Sequence, residues 1–458
     1  MRSNEPRSWF FCFGVASALA LAAGCSGVSE SGASSRGTST GSGTYSPGGS
    51  STGSVAVTGA GATTGAGVST GGTGGEPQPG TAGTNGGIRP GTLTAGTWDD
   101  NLNFDYYLQY LTRIEGQQIA GLTVVPRTNR LQILVTDGMG APLGNALVTV
   151  SNAAGQQLLR APTRSDGKLF FFPGAANANA GDALYVTAAL GIAQATGAAT
   201  VGDATLTIPL AAATASLPRT LDLALVIDTT GSMGDELGYL QVEVSAIATQ
   251  IGQQFPGVAE RLALILYRDD GDAYVVRSFD FTTSLSTFQS EIAAQSADGG
   301  GDWPESPDKA LAQLPQLAWS PDTSARVAFW IADAPHHSGR APAMIADFQA
   351  AQAAGIHLYP IAASGTDDLL EYTMRTGAEL TGGRYLFLTN DSGVGNDHKE
   401  PTIPCYQVTS LDKAMLRMIA MELTGMEIEP AASDVIRTSG DPQDGHCVLS
   451  NGQQVLPL

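Results

Sequence analysis

Basic residues are scarce in this 458-residue chain: 23 Lys and Arg stand against 43 Asp and Glu, a formal net charge of −20. A nucleic-acid-binding surface needs clustered Lys and Arg, so that class is excluded. Acidic balance of this size favours solubility and cation binding instead. No Gly-x-x-x-x-Gly-Lys-[Ser/Thr] phosphate loop occurs, and the apolar run Trp9–Ala23 is too short to span a bilayer comfortably. Apolar side chains are also nearly missing between Ser26 and Thr92, where 21 of the 57 glycines lie. Such a stretch cannot offset the entropy of ordering itself. Residues 25–92 are therefore expected to be a Gly/Ser/Thr-rich disordered tether, with a root-mean-square reach of roughly 45 Å. The remaining chain is long enough for two cores.

Cysteine is scarce as well, with four in the whole chain. Arg2 and Arg7 precede the Trp9–Ala23 run, which suits the apolar region of a signal peptide, residues 1–24. The run ends Leu21-Ala22-Ala23-Gly24-Cys25, which resembles the bacterial lipobox. That resemblance implies that Cys25 is the first mature residue and is acylated, giving a membrane anchor. Ser26, rather than Asp, follows, and this favours the outer membrane of a bacterial cell envelope. Cys12 would leave with the signal peptide, so only Cys405 and Cys447 remain. Two cysteines in an exported protein are expected to pair, for a stabilisation of about 3–4 kcal/mol.

Aromatics return at Trp98, Phe104, Tyr106, Tyr107 and Tyr110, and 93–129 reads as an amphipathic connecting segment with a short helix over Asp105–Ile114. Between 130 and 217, short strands are broken by Asp137-Gly138, Asn152 and Asp166-Gly167. Strands at that spacing predict a small all-β sandwich. The stretch resembles carboxypeptidase-regulatory-like or Ig-like modules, which implies a spacer or docking surface. From 218 to 428 the pattern changes. Apolar runs at Leu223–Ile227, Leu262–Leu266, Val327–Ile331, Leu358–Ala362 and Tyr385–Leu388 alternate with helical segments at 234–255, 308–318, 342–354, 367–380 and 410–424. Leu237, Leu240, Val244, Ile247, Ile251 and Phe255 recur at steps of three and four, one face of a helix. Strands without strict alternation, separated by such helices, predict an α/β fold with a doubly wound, mainly parallel sheet. Residues 429–458 are left as a C-terminal tail.

In such sheets ligands sit at the carboxyl ends of strands. The first strand there ends in Asp228, Thr230 and Ser232, and the fourth in Asp333. Between them lies Asp298-Gly-Gly-Gly-Asp302-Trp303-Pro304-Glu305. Hard oxygen ligands with no soft ligand among them imply Mg²⁺, Mn²⁺ or Ca²⁺ rather than zinc. Asp-x-Thr-x-Ser after strand one, with Asp333 after strand four, resembles the metal-ion-dependent adhesion site of von Willebrand factor type A domains. The phrases GGGDWPE and ARVAFWIADAPHH are similar to the hemicentin-like branch of that family. The resemblance implies a divalent cation, Mg²⁺ first. Thr230 and Ser232 would bind it directly, Asp228 and Asp333 mostly through water, and Asp302 would stand where many members place Thr. It also implies that a carboxylate from a protein partner completes the ion, in adhesion or envelope-complex assembly.

Blander readings exist for each piece. Asp, Thr and Ser all cap helices, Asp302 suits a turn before Pro304, and Arg268-Asp269-Asp270 reads as a solvated turn. Adjacent His336 and His337, with no cysteine near, are a poor zinc pair. Catalysis is not expected: Ser232 lacks the nucleophile-elbow spacing, and Thr230 stands where haloacid-dehalogenase-type phosphatases carry a second Asp. An envelope scaffold with a vestigial metal site is the alternative function, with a metal-dependent hydrolase behind it.

Overall fold

The computed structural model describes residues 88–458 apart from Asp302 and Asp322. The expected signal peptide, Cys25, most of the tether and Asp302 lie outside the described residues.

The first elements are strand β1 (Thr94–Trp98) and helix α1 (Phe104–Gly116). Seven strands follow: β2 (Leu131–Asp137), β3 (Leu147–Asn152), β4 (Gln157–Pro162), β5 (Lys168–Phe171), β6 (Ala183–Leu190), β7 (Ala193–Thr200) and β8 (Thr205–Leu210). They form two sheets, β5-β2-β8 and β4-β3-β6-β7, around one core that includes Ile133, Val135, Val148, Val150 and Val186. Alternation along β3 and β6 turns Val148, Val150, Leu184 and Val186 inward and Thr149, Tyr185 and Thr187 outward. The strands expected over 130–217 are thus a two-sheet sandwich.

The α/β elements come next: β9 (Thr220–Asp228), α2 (Leu237–Gln254), β10 (Ala259–Tyr267), β11 (Val276–Thr282), α3 (Leu285–Ala293), α4 (Pro307–Gln313), β12 (Ala325–Ala332), α5 (Ala341–Ala353), β13 (His357–Ala362), α6 (Asp368–Thr381), β14 (Tyr385–Leu388), β15 (Tyr406–Ser410) and α7 (Leu411–Thr424). Short strands β16 (Arg437–Ser439), β17 (Cys447–Val448) and β18 (Gln454–Val455) close the chain. The large sheet has the order β11-β10-β9-β12-β13-β14-β1-β15-β16. Strands β10, β9, β12, β13 and β14 run parallel, as expected from their apolar, β-branched sequences. Successive residues of β9 serve opposite faces. Leu223, Leu225 and Ile227 join α2, α3 and α7, whereas Ala224 and Val226 join α4, α5 and α6. Both faces are therefore covered, which buries Leu221–Asp228. Among the described residues no helix is long and apolar enough to cross a membrane.

Two segments do more than the sequence suggested. Residues 93–129, expected only to connect, supply β1, which pairs antiparallel with both β14 and β15 inside the large sheet. Glu243 on α2 accepts hydrogen bonds from the backbone N–H groups of Gly91, Thr92 and Leu93 at 2.8, 2.8 and 3.1 Å. Beyond β1, Asp99 pairs with Arg384 at 2.9 Å, and both oxygens of Asp100 meet Arg375 at 2.6 and 2.9 Å. The sandwich is thus inserted between β1–α1 and the rest of the α/β unit. Residues 429–458, expected as a tail, add β16 to β15, and the Cys405–Cys447 disulfide holds the β17–β18 hairpin. That bond is the pairing expected from the cysteine count.

The sandwich is keyed to the α/β unit through its β4–β5 turn. Arg164 donates to the carbonyl of Gly382 and lies 3.3 Å from the Glu422 carboxylate, while Ser165 Oγ donates to the carbonyl of Glu422 at 2.5 Å. Glu422 also accepts from Tyr359 at 2.5 Å and meets His357 at 2.9 Å.

Candidate metal centre

The carboxyl edge of the parallel strands collects five loops. Strand β9 delivers Asp228 and Thr230, both fully buried, and then Ser232, which is exposed. Thr230 donates twice to Asp228 Oδ1, from its backbone N–H at 2.9 Å and its hydroxyl at 2.7 Å. The Thr230 and Ser232 hydroxyl oxygens are 3.2 Å apart. Thr230 precedes a 3-10 turn over Gly231–Asp235 but makes no side-chain cap bond to it, and α2 begins only at Leu237, so a helix-capping role for its hydroxyl is not seen. Strand β12 delivers Asp333, 2 % exposed, on the same edge.

The glycine loop lies against the first loop. Gly231 N–H donates to the carbonyl of Gly299 at 3.1 Å, and Asp298 N–H to that of Thr229 at 3.1 Å. Gly299 and Gly300 have φ of 80° and 75°, the left-handed region that glycine enters without strain. Space demands glycine as well, since a Cβ on Gly300 would stand 2.9 Å from Glu305 Oε1 and 3.4 Å from Thr230 Cβ. Glu305 is 2 % exposed and fixed by its backbone N–H, which donates to the carbonyl of Pro335 at 2.8 Å. Asp302 lies in the same loop but outside the described residues.

Electrostatics mark this edge. Burial, joined by the neighbouring carboxylates of Asp228, Asp269 and Asp333, pushes Glu305 up to about 9. Burial and then Asp228 raise Asp333, with the Ser232 hydroxyl opposing; burial also raises Asp228 against the two bonds from Thr230. One oxygen on each of Asp228, Asp333 and Glu305 is buried without a hydrogen-bond partner among the described residues. A buried acceptor left in that state is costly unless a donor or a cation serves it. The donor set fits one: hard carboxylate and hydroxyl oxygens at one sheet edge suit Mg²⁺, with Mn²⁺ or Ca²⁺ as relatives in chemistry. Among the described residues, no three His, Cys, Asp or Glu side chains are gathered in a metal cage. The oxygen set here instead mixes two hydroxyls with carboxylates.

Sequence reasoning placed Asp228, Thr230, Ser232 and Asp333 at strand ends, and the structure brings them to one edge. It did not give Glu305 a role, since a Glu ahead of a helix ordinarily faces solvent. Nor was the Arg268–Asp270 stretch a solvated turn throughout. Arg268 and Asp269 are 5 % and 6 % exposed, and Asp269 Oδ1 receives Ser306 Oγ at 2.9 Å and His337 Nε2 at 2.6 Å. His336 Nδ1 instead faces the carbonyl of His337 at 2.9 Å. Trp303 stands 43 % exposed on the rim, its indole N–H donating to Asp367 at 3.2 Å.

Residues 222–358 match the family model described as von Willebrand factor A domain. Over that span the chain is similar to von Willebrand factor A domains. The match stops in β13, so β14, β1 and β15 of the same sheet lie outside it. A protein of Acanthamoeba polyphaga mimivirus, named as an ariadne-like RING finger protein, is 32% identical over 122 residues, 26% of this chain. The chain spans only 12% of that relative's length. Among solved structures, a conserved hypothetical protein BatB from Bacteroides thetaiotaomicron is similar at 14% identity and a TM-score of 0.32, covering 44% of this chain and 98% of that one. The pilus adhesin SpaC from Lactobacillus rhamnosus GG, in an open conformation, gives 13% identity and a TM-score of 0.32 over 53% of this chain and 32% of its own.

Proposed function

We propose that the A domain binds one divalent cation, Mg²⁺ first, and through it a carboxylate on a protein partner, in adhesion or in assembly of an envelope complex. Thr230 and Ser232 are the direct hydroxyl ligands in this reading, with Asp228 and Asp333 holding waters and Asp302 completing the loop side. The observation that carries it is one buried oxygen on each of Asp228 and Asp333, at one strand-end edge, that meets no hydrogen-bond partner among the described residues. A cation with few direct charged ligands stays electrophilic, and an acidic side chain is its natural complement. The reading is of a binding module rather than an enzyme. It includes a lipid anchor at Cys25 and the 25–92 tether, which would hold the domain clear of an outer-membrane surface.

The test is calorimetric titration of the full chain with Mg²⁺ and Mn²⁺, followed by partner capture with and without chelator. Binding is expected in the native protein and lost in Asp228→Ala. No binding, or binding unchanged in Asp228→Ala, overturns the reading. Metal lost in that variant while partner capture persists would replace it with the envelope scaffold, and metal-dependent turnover of phosphate or ester substrates with the hydrolase.

A further inference from the structure

A cleft lies away from the metal edge, where three distant parts of the chain meet. The start of α1, the β7–β8 turn of the sandwich and the β17–β18 hairpin enclose a cleft of about 560 Å³. That size is typical of a small-molecule site. Its lining carries hydrogen-bonding side chains that stand open to solvent, Asp105, Asn129 and Gln454 among them. The side chains of Asp105, Asn129 and Gln454 bond to no other described residue, and Arg130 Nε is buried without a partner.

The geometry of Arg130 is fixed. Its Nη1 donates to the backbone and side-chain oxygens of Asn101 at 2.8 and 3.0 Å, and its guanidinium stacks 3.8 Å from the Phe104 ring centroid. Asn129 has a φ of 64°, a left-handed conformation that Asn tolerates better than most side chains. Tyr106 is held by its hydroxyl, which donates to the carbonyl of Thr402 at 3.2 Å, so its ring is a fixed wall.

The chemistry of the lining selects the ligand. The lining holds one carboxylate and one guanidinium, whose charges offset, so neither a strong anion nor a strong cation is favoured. Two amides offer donor and acceptor together, Asp105 accepts, and Arg130 donates. Vicinal hydroxyl groups, each both donor and acceptor, satisfy such an alternation, while the Tyr106 ring and Leu102 can meet C–H faces. Apolar ligands would strand the polar groups. We propose that this cleft binds a neutral saccharide, independently of the cation site.

The experiment is saturation-transfer NMR on the full chain with N-acetylglucosamine, glucose and galactose, using glucuronate and glucosamine as charged controls. A neutral sugar is expected to give signal. Its affinity should fall about tenfold, the effect of one or two lost hydrogen bonds, in Asp105→Ala and in Asn129→Gly. Glycine accepts the positive φ, so the second variant folds even if the first is impaired, and Mg²⁺ titration should be unaltered in both. Absence of signal from all three neutral sugars, unchanged signal in both variants, or preferential binding of glucuronate or glucosamine each overturns the proposal.

Discussion

Arg164, in the β4–β5 turn of the sandwich, reaches the α/β unit and stands 3.3 Å from Glu422 on α7, whose side chain is 1% exposed. Burial alone would raise the Glu422 carboxyl, but His357 and Arg164 outweigh it and hold it down at about 2. The two modules are thus joined by a buried charge rather than by apolar surface alone.

Removing one partner of that pair should be expensive. Arg164→Ala leaves the Glu422 carboxylate short of its charge, and a loss of about 3–5 kcal/mol is expected by analogy with other broken buried pairs. Because the folded value lies below the ordinary one, the stabilisation is present above about 4.5 and is lost as pH falls towards about 2. Urea unfolding across that range should show the fall in the native protein and a flatter profile in Glu422→Gln. Equal slopes in both would contradict this.

The metal edge predicts an opposite pair of effects from one substitution. Asp333→Asn removes a carboxylate that burial and Asp228 disfavour, so the cation-free protein should gain roughly 1–3 kcal/mol. The same variant should lose the stabilisation expected from Mg²⁺ in the native chain, about 2.7 kcal/mol at a hundredfold excess over Kd, and with it the rise in Tm. Thermal melts with Mg²⁺ and with chelator measure both. A variant that still responds to Mg²⁺ would argue against Asp333 as part of the site.

The disulfide spans 42 residues. Reduction, or Cys447→Ser, should cost about 4 kcal/mol by loop entropy. It also frees the β17–β18 hairpin, one wall of the polar cleft. Denaturation midpoints with and without reductant check the first effect, and any sugar signal should weaken with it.

Gly383 is a steric requirement. A Cβ there would lie 1.9 Å from the Leu358 carbonyl oxygen, a backbone atom that cannot step aside. Gly383→Ala should therefore cost several kcal/mol, at the upper end for single substitutions. A change of less than about 1 kcal/mol in urea unfolding would show that the β13–β14 contact yields more easily than this.

Much of the α/β layer was legible because it is local. The Leu237–Ile251 periodicity marks α2, and the apolar runs mark β9, β10, β12, β13 and β14. Strand β1 was not legible. Thr94-Ala95-Gly96-Thr97-Trp98 is short, has little apolar character, and finds its partners about 290 residues later. Small size is itself the fit, since a Cβ on Gly96 would collide with the Phe387 ring at 2.3 Å. Strand β11 and helix α3 were also missed, because an edge strand with residues such as Arg277 and Asp280 lacks a continuous apolar run. In the candidate site, Asp228 and Asp333 declare themselves at the ends of apolar strands. Glu305 and Asp269 do not, because their burial comes from loops folding over one another rather than from any pattern around them.

Strand β1 has a mechanical consequence. It runs antiparallel to β14, so Thr94 sits beside Thr389, at the same edge of the sheet as Asp228 and Asp333. A pull on the chain upstream of Thr94, directed away from that edge, would load β1 along its own axis. The ladder bonds to β14 and β15 would then resist together in shear, with Glu243 gripping three amides at the point where the force enters. Load entering at Thr94 in that direction would be taken by an interior strand paired on both sides, not by a peripheral strand that could peel away one bond at a time.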